Sequence, residues 1–152
     1  MVRLTRMADY AIVLMHHVAS AGGRPLNAGE LAGETRLPRP TTTKILKSLA
    51  RSGLLTSSRG IKGGYTLAFS ALDISVADIV AAVEGPIALT DCIEDAPGAC
   101  ELESCCQVRD TLQIVNTTVR GALREVSLAD LCTPASFAPT ADPARPAASG
   151  TS

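Results

Sequence analysis

Two short β-prone segments, Leu54–Ser58 and Tyr65–Phe69, are separated by Arg59-Gly-Ile-Lys-Gly-Gly64. Short apolar runs divided by glycines read as a hairpin, because glycine supplies the backbone freedom that a tight reversal needs. The loop also carries two cations, Arg59 and Lys62. What precedes it limits the fold further. A segment of about Asn27–Thr35 starts on Asn27 with Glu30 three residues later, the pattern of a capping box. Leu37-Pro38-Arg39-Pro40 reads as a turn, and Pro40 fits the first turn of a helix over about 40–52, where its missing N–H is not needed. Gly53 closes that helix in the C′ position.

Two short amphipathic helices joined by a tight turn and followed by a basic hairpin compose a winged helix-turn-helix. The expected fold class is mainly α with a small β-hairpin wing. Thr5 to Ala21 forms a preceding helix, with Thr5 as cap, Met7, Tyr10, Ala11, Leu14 and Val18 on one face, and Gly22-Gly23 as terminator. In the helix over 40–52, Ile45, Leu46 and Leu49 are expected inside. Thr41, Thr42, Lys44, Lys47, Ser48 and Arg51 are expected on the other face.

Downstream, Ser75–Glu84 reads as a helix capped by Ser75 and stopped by Gly85-Pro86. One long helix is expected from about Gln107 to Leu128. In it Val108, Leu112, Val115, Val119, Ala122 and Val126 step by 4, 3, 4, 3 and 4, a heptad seam suited to pairing with a second chain. The expected organisation is 1–70 for the winged helix-turn-helix, 71–106 for a short helix and cysteine-rich loop, 107–130 for a dimerisation helix and 131–152 for a disordered tail rich in Pro, Ala, Ser and Thr. With two Phe, two Tyr and no Trp the core must be mostly Leu, Ile, Val and Ala. A core that small gains from a homodimer or a metal.

The net charge of −1 conceals a division. Residues 1–67 hold ten Lys and Arg against Asp9, Glu30 and Glu34, a balance of +7. Residues 68–152 hold four Arg against twelve acids, a balance of −8. A polyanion therefore meets the first half. Lys44, Lys47 and Arg51 on one helix face could be a solvated surface. Thr41, Thr42 and Thr43 at the helix start, and Arg59 and Lys62 on a glycine loop able to follow a backbone or enter a minor groove, make double-stranded DNA the expected partner. An enzyme reading is weak, because no nucleophile–base pair stands out and Gly60…Gly64 lacks the phosphate-loop lysine pattern. No stretch reaches the roughly 18 apolar residues of a membrane span. Arg3 and Arg6 precede Ala11–Met15, but His16-His17 interrupt that run, so no signal peptide is read and the expected location is cytoplasmic.

Four of the five cysteines, Cys92, Cys100, Cys105 and Cys106, crowd into fifteen residues. In a reducing compartment such thiols suit metal or redox chemistry more than structural disulfides. Seven, four and zero residues separate them, without the Cys-x₂-Cys pairs that structural zinc prefers. Adjacent Cys105 and Cys106 point in different directions, which leaves three thiolates suited to an iron–sulfur cluster. The acids Asp91, Glu94, Asp95, Glu101 and Glu103 oppose the low thiol pKa of a redox switch, without selecting the metal. Cys132 lies outside the group.

Three segments carry a resemblance: Arg3-Leu-Thr-Arg-Met-Ala-Asp-Tyr-Ala11, the turn and helix from Leu37-Pro38 through Lys44-Ile45-Leu46 to Gly53-Leu54, and Arg59-Gly-Ile-Lys-Gly-Gly-Tyr-Thr-Leu-Ala68. Over about residues 1–130 the chain resembles the Rrf-two family of winged-helix transcription regulators, which includes IscR-like and NsrR-like members. Glu84-Gly-Pro-Ile87 through Cys92 and the gap to Cys100 look most like regulators of the SUF iron–sulfur assembly system. The resemblance implies a homodimeric DNA-binding repressor of iron–sulfur assembly genes, controlled by an iron–sulfur cluster, 2Fe-2S rather than 4Fe-4S. It places the three cysteine ligands on Cys92, Cys100 and Cys106. IscR-like members have a histidine three residues after the third cysteine, where this chain has Arg109. Nitric-oxide-sensing members instead recruit an acid from the first helix of the partner subunit, and Asp9 occupies the matching position here. The resemblance thus offers Asp9 as the fourth ligand, with Cys105 or an external small molecule as alternatives. A nitric-oxide or redox sensor of the same architecture, or a zinc-binding regulator, is the competing reading.

Overall fold

The structure, a computed structural model, describes residues 3–90 and 106–133. Helix α1 (Arg6–Ser20) starts on Thr5, whose hydroxyl oxygen accepts from the Ala8 N–H at 3.2 Å. It buries Ala8, Ala11, Leu14, Met15 and Val18, which recur at three- and four-residue spacing. Met7 and Tyr10, expected on that face, lie half-buried at its edge. Gly22 and Gly23 follow with φ of 62° and 89°, left-handed geometry that ends a helix at low cost.

Helix α2 (Ala28–Thr35) has the expected reciprocal cap. Asn27 Oδ1 accepts from the Glu30 N–H at 2.9 Å, and Glu30 accepts from the Asn27 N–H at 2.8 Å. That backbone bond, with help from Arg24 at 3.3 Å, holds the Glu30 carboxyl below its ordinary range. Arg36 closes α2 in the left-handed region at φ 57° and opens the turn to α3 (Arg39–Arg51). Helix α3 buries Ile45, Leu46 and Leu49 as expected.

Strands β1 (Leu55–Ser58) and β2 (Gly64–Leu67) pair antiparallel from Leu55↔Leu67 to Ser58↔Gly64. The hairpin is tied back to the body where Leu26 and Tyr65 exchange backbone bonds of 3.2 and 2.8 Å. Helix α4 (Val76–Glu84) starts on a second capping box, Ser75 with Asp78, and stops at Gly85 with φ 85°.

The C-terminal end departs from expectation. The single helix over 107–128 is two helices, α5 (Arg109–Glu125) and α6 (Leu128–Cys132). Val126 is extended, and Ser127 caps α6 by a box with Asp130. The Ser127 hydroxyl, then its backbone N–H, holds the Asp130 carboxyl below its ordinary range. The extended segment lies against the lead-in to α4: Val76 N–H donates to Val126 at 2.9 Å and Leu128 N–H to Ile74 at 2.7 Å. The break turns Leu128 into the main core, where it is fully buried with Leu14, Met15, Leu46, Leu49 and Ile79. Full burial of one such side chain contributes roughly 1.5–3 kcal/mol. Continuing the helix would have left Leu128 on a projecting end. Leu131 and Cys132, at the start of the expected tail, belong to α6; residues 134–152 lie outside the described residues. No helix among the described residues is long and apolar enough to cross a membrane.

Candidate functional site

Helix α3 presents a cationic face. Lys44, Lys47 and Arg51 are exposed, and their spacing of three and four residues keeps them in one stripe opposite Ile45, Leu46 and Leu49. None of the three forms an ion pair among the described residues, where the salt bridge is Arg24–Glu30. Thr41 and Thr43 flank the stripe, half-buried.

Thr42 is not on that face. It is fully buried, and its hydroxyl donates to the Pro38 carbonyl at 3.2 Å. The reason is helical phase: three residues before Ile45, four before Leu46 and seven before Leu49, Thr42 must point where they point. The expected placement of Thr42 on the exposed face is therefore corrected: its side chain belongs to the packed side of α3. At the head of α3 the cap position is Pro38, which offers no side-chain acceptor. First-turn amides of α3 are thus left for an outside acceptor, as an anion at a helix N-terminus would provide. The wing brings Arg59 and Lys62, both exposed, from the same half of the molecule.

The thiol site is described only in part. Cys92, Cys100 and Cys105 lie outside the described residues. Cys106 is a free, half-buried cysteine three residues before α5 begins. Asp9 is exposed in the first turn of α1 and shares a surface hollow with Arg3, Leu4, Thr5 and Arg6. Among the described residues no three His, Cys, Asp or Glu come close enough to share a metal. Cys132 is free and half-buried at the end of α6.

Two contacts that sequence reasoning missed hold the approach to the cysteine segment. The Thr5 hydroxyl donates to Glu84, joining the cap of α1 to the last residue of α4. Asn116 on α5 is 1% exposed, and its Oδ1 accepts from the Leu89 N–H at 3.1 Å. Between these ties, residues 3–8, α4, α5 and residues 85–90 line an open, more apolar than polar hollow of about 570 Å³. Asn116 had a legible signal. It lies four residues after Leu112, three before Val119 and seven before Leu123, so it is a polar residue inside an apolar stripe. Asn116→Leu should leave the Leu89 N–H without its acceptor and cost about 1–3 kcal/mol. At roughly 2–4 °C per kcal/mol for a chain of this size, calorimetry should record a melting point several degrees lower. An unchanged melting point would show that this bond does not hold residues 85–90.

The expected heptad seam is split by the same geometry. Leu112, Val119 and Val126 are half-buried, while Val108, Val115 and Ala122 are exposed. Ile114, outside the seam, is 67% exposed. Helix α5 thus turns Leu112, Asn116, Val119 and Leu123 inward and leaves a second apolar stripe open.

Comparison with known proteins agrees with this geometry. A family model described as Rrf2, iron-dependent transcriptional regulator, matches residues 4–134. The HTH-type transcriptional repressor NsrR of Streptomyces coelicolor is 30% identical over 131 residues, covering 85% of this chain and 87% of that protein. Among solved structures, the global cysteine regulator CymR of B. subtilis superposes with a TM-score of 0.69 at 25% identity, covering 88% of this chain and 98% of the other. IscR of T. potens gives 0.68 at 24% identity with 93% of each chain covered.

Proposed function

Because the chain belongs to the Rrf2 family of transcription regulators and is not an enzyme, we propose that it is a homodimeric, cytoplasmic repressor of iron–sulfur assembly genes whose hold on its operator is set by an iron–sulfur cluster. Cys106 is the observation that carries this reading. A free thiol stands at the head of the one helix whose outer apolar stripe, Val108, Ile114 and Val115, has no cover among the described residues. A ligand at that point is mechanically joined to any second chain packed on α5.

The donor chemistry fits a cluster. Cys106 is in no disulfide, and Cys92, Cys100 and Cys105 bring further thiolates within fifteen residues. Thiolate is the ligand that iron–sulfur clusters take, and a 2Fe-2S form needs no more than four. When bound, such a cluster supplies a link that fails when iron is short or oxidants arrive. The chain's own residues do the rest. Cys92, Cys100 and Cys106 would hold the cluster, and Asp9 of the partner subunit, or Cys105, would complete it. Asp9 lies on α1, and α1 packs on α3 in the core, so a change at Asp9 bears on the spacing of the two recognition helices. A dimer that reads paired half-sites tolerates little change in that spacing.

Anaerobic purification of the full chain tests the reading. The protein should be coloured, absorb in the visible range, and contain iron and acid-labile sulfide in equal amounts. Colourless protein with stoichiometric zinc would reject it in favour of a zinc-binding regulator. Colourless protein without metal would favour a second reading, suggested by the similarity to the cysteine regulator, in which sulfur metabolism rather than a cluster sets DNA binding.

A further inference from the structure

We propose that Ile61 is an apolar wedge that enters the DNA minor groove between Arg59 and Lys62 and makes the wing a reader of base-step deformability. The proposal rests on the DNA-binding reading above and is independent of any cluster. Ile61 is 107% exposed, the most exposed large apolar side chain among the described residues. A single exposed isoleucine is ordinary on a protein surface. The mount of this one is what points to a ligand.

The loop is fixed at its base and open only at its tip. The Gly63 N–H donates to the Gly60 carbonyl at 3.0 Å, with Gly60 at φ 107°. A Cβ at Gly63 would collide with the Ser58 carbonyl oxygen, and one at Gly64 would lie 2.7 Å from the Leu26 carbonyl. The Ser58 hydroxyl bonds to the Gly64 backbone, and Tyr65 pairs with Leu26. The β2 side of the hairpin is therefore seated backbone to backbone on Leu26, the Gly63 turn is closed against Ser58, and the loop presents the long side chains of Arg59, Ile61 and Lys62 to solvent. Neither cation has a carboxylate within salt-bridge reach among the described residues. Two free cations flanking one apolar tip match a minor groove, whose phosphate walls take the charges and whose floor takes the wedge.

The three residues then divide the work. Phosphate contacts fix position and carry no sequence information. An apolar wedge partly unstacks a base step, and the cost of doing so depends on the step. Pyrimidine–purine steps such as TA and CA yield most easily. Specificity under the wing would come from Ile61 through that cost, without a hydrogen bond to any base.

The test uses the full-length protein and duplexes that it enriches from a random-sequence pool. Affinity against salt, and bending by end-to-end energy transfer, are measured for wild type, Ile61→Ser, Ile61→Leu and Lys62→Ala. Ile61→Ser should bind about tenfold more weakly, the scale of one lost readout position. It should bend DNA less, keep the wild-type salt slope, and enrich duplexes without a preferred pyrimidine–purine step under the wing. Ile61→Leu should retain affinity and bend. Lys62→Ala should lower the salt slope by about 1 per wing, hence about two for a dimer with both wings engaged, as loss of a phosphate contact does. Wild-type affinity and bend in Ile61→Ser, or an unbent duplex in the wild-type complex, would overturn the wedge. Enrichment of no duplex by wild type would instead remove the DNA-binding reading on which it rests.

Discussion

Cys106→Ala should purify under anaerobic conditions without visible absorption and without iron or sulfide, while Cys105→Ala should keep its colour. The two residues are adjacent, so charge, loop composition and distance along the chain are the same for both. What differs is direction, since neighbouring side chains in any backbone conformation point apart. Losing a group that merely orients a metal ligand costs roughly 10–100-fold in affinity. Losing a thiolate ligand should exceed that, which makes the result close to all or none. Cys106 is half-buried ahead of the first turn of α5, so truncating it should leave the fold intact, and a circular dichroism spectrum and melting point matching those of cluster-free wild type would separate ligand loss from unfolding. Colour lost in Cys105→Ala and kept in Cys106→Ala would overturn this assignment and make Cys105 the ligand. The partner contribution can be read from mixed dimers. Cys106→Ala paired with Asp9→Ala should regain one cluster per dimer if the aspartate comes from the other subunit. If each site used its own Asp9, neither site in the mixed dimer would be complete.

The starts of the helices were legible because capping is local. Asn27 with Glu30 and Ser75 with Asp78 announce their helices within four residues, and both boxes form. The wing was legible for a similar reason, since Gly60, Gly63 and Gly64 sit where the backbone reverses or approaches another strand. The end of α5 was harder. Apolar residues continue in helical phase through Val126, and Leu128 extends the apolar character. The stop comes from Ser127 and Asp130, a third capping box, together with the space that Leu128 fills in the core. The first half of that reason was present in the sequence; the second is a tertiary fact. Thr42 shows the reverse error. Three consecutive threonines look polar as a group, yet helical phase sends the middle one inward, where the Pro38 carbonyl satisfies its hydroxyl. For the site, residue types were legible and geometry was not. Crowded thiols among acidic residues were legible as a candidate for metal chemistry, but Cys92, Cys100 and Cys105 lie outside the described residues, and spacing alone does not fix which thiols converge.

Replacing Lys44, Lys47 and Arg51 together by Ala should reduce DNA affinity most at low salt, with the loss shrinking as salt rises. The three side chains are exposed on one stripe of α3 and free of ion pairs among the described residues, so in the free protein their removal breaks little. In a complex each would displace counterions from a phosphate. The slope of log affinity against log salt falls by about 0.9 per contact. A dimer carrying six such contacts should lose about five from its slope, and a monomer carrying three should lose about half as much, so the slope also reports the oligomer that binds. For six contacts the wild-type advantage should shrink by about 10³ between 50 and 200 mM salt. Lys47→Ala alone should lower the slope by about two in a dimer and weaken all duplexes alike, since a phosphate contact carries no sequence preference. Wild-type affinity and slope in the triple variant would move the DNA interface off this face of α3. Equal weakening at every salt concentration would point instead to damage in the fold, because only charge release scales with the ions in solution.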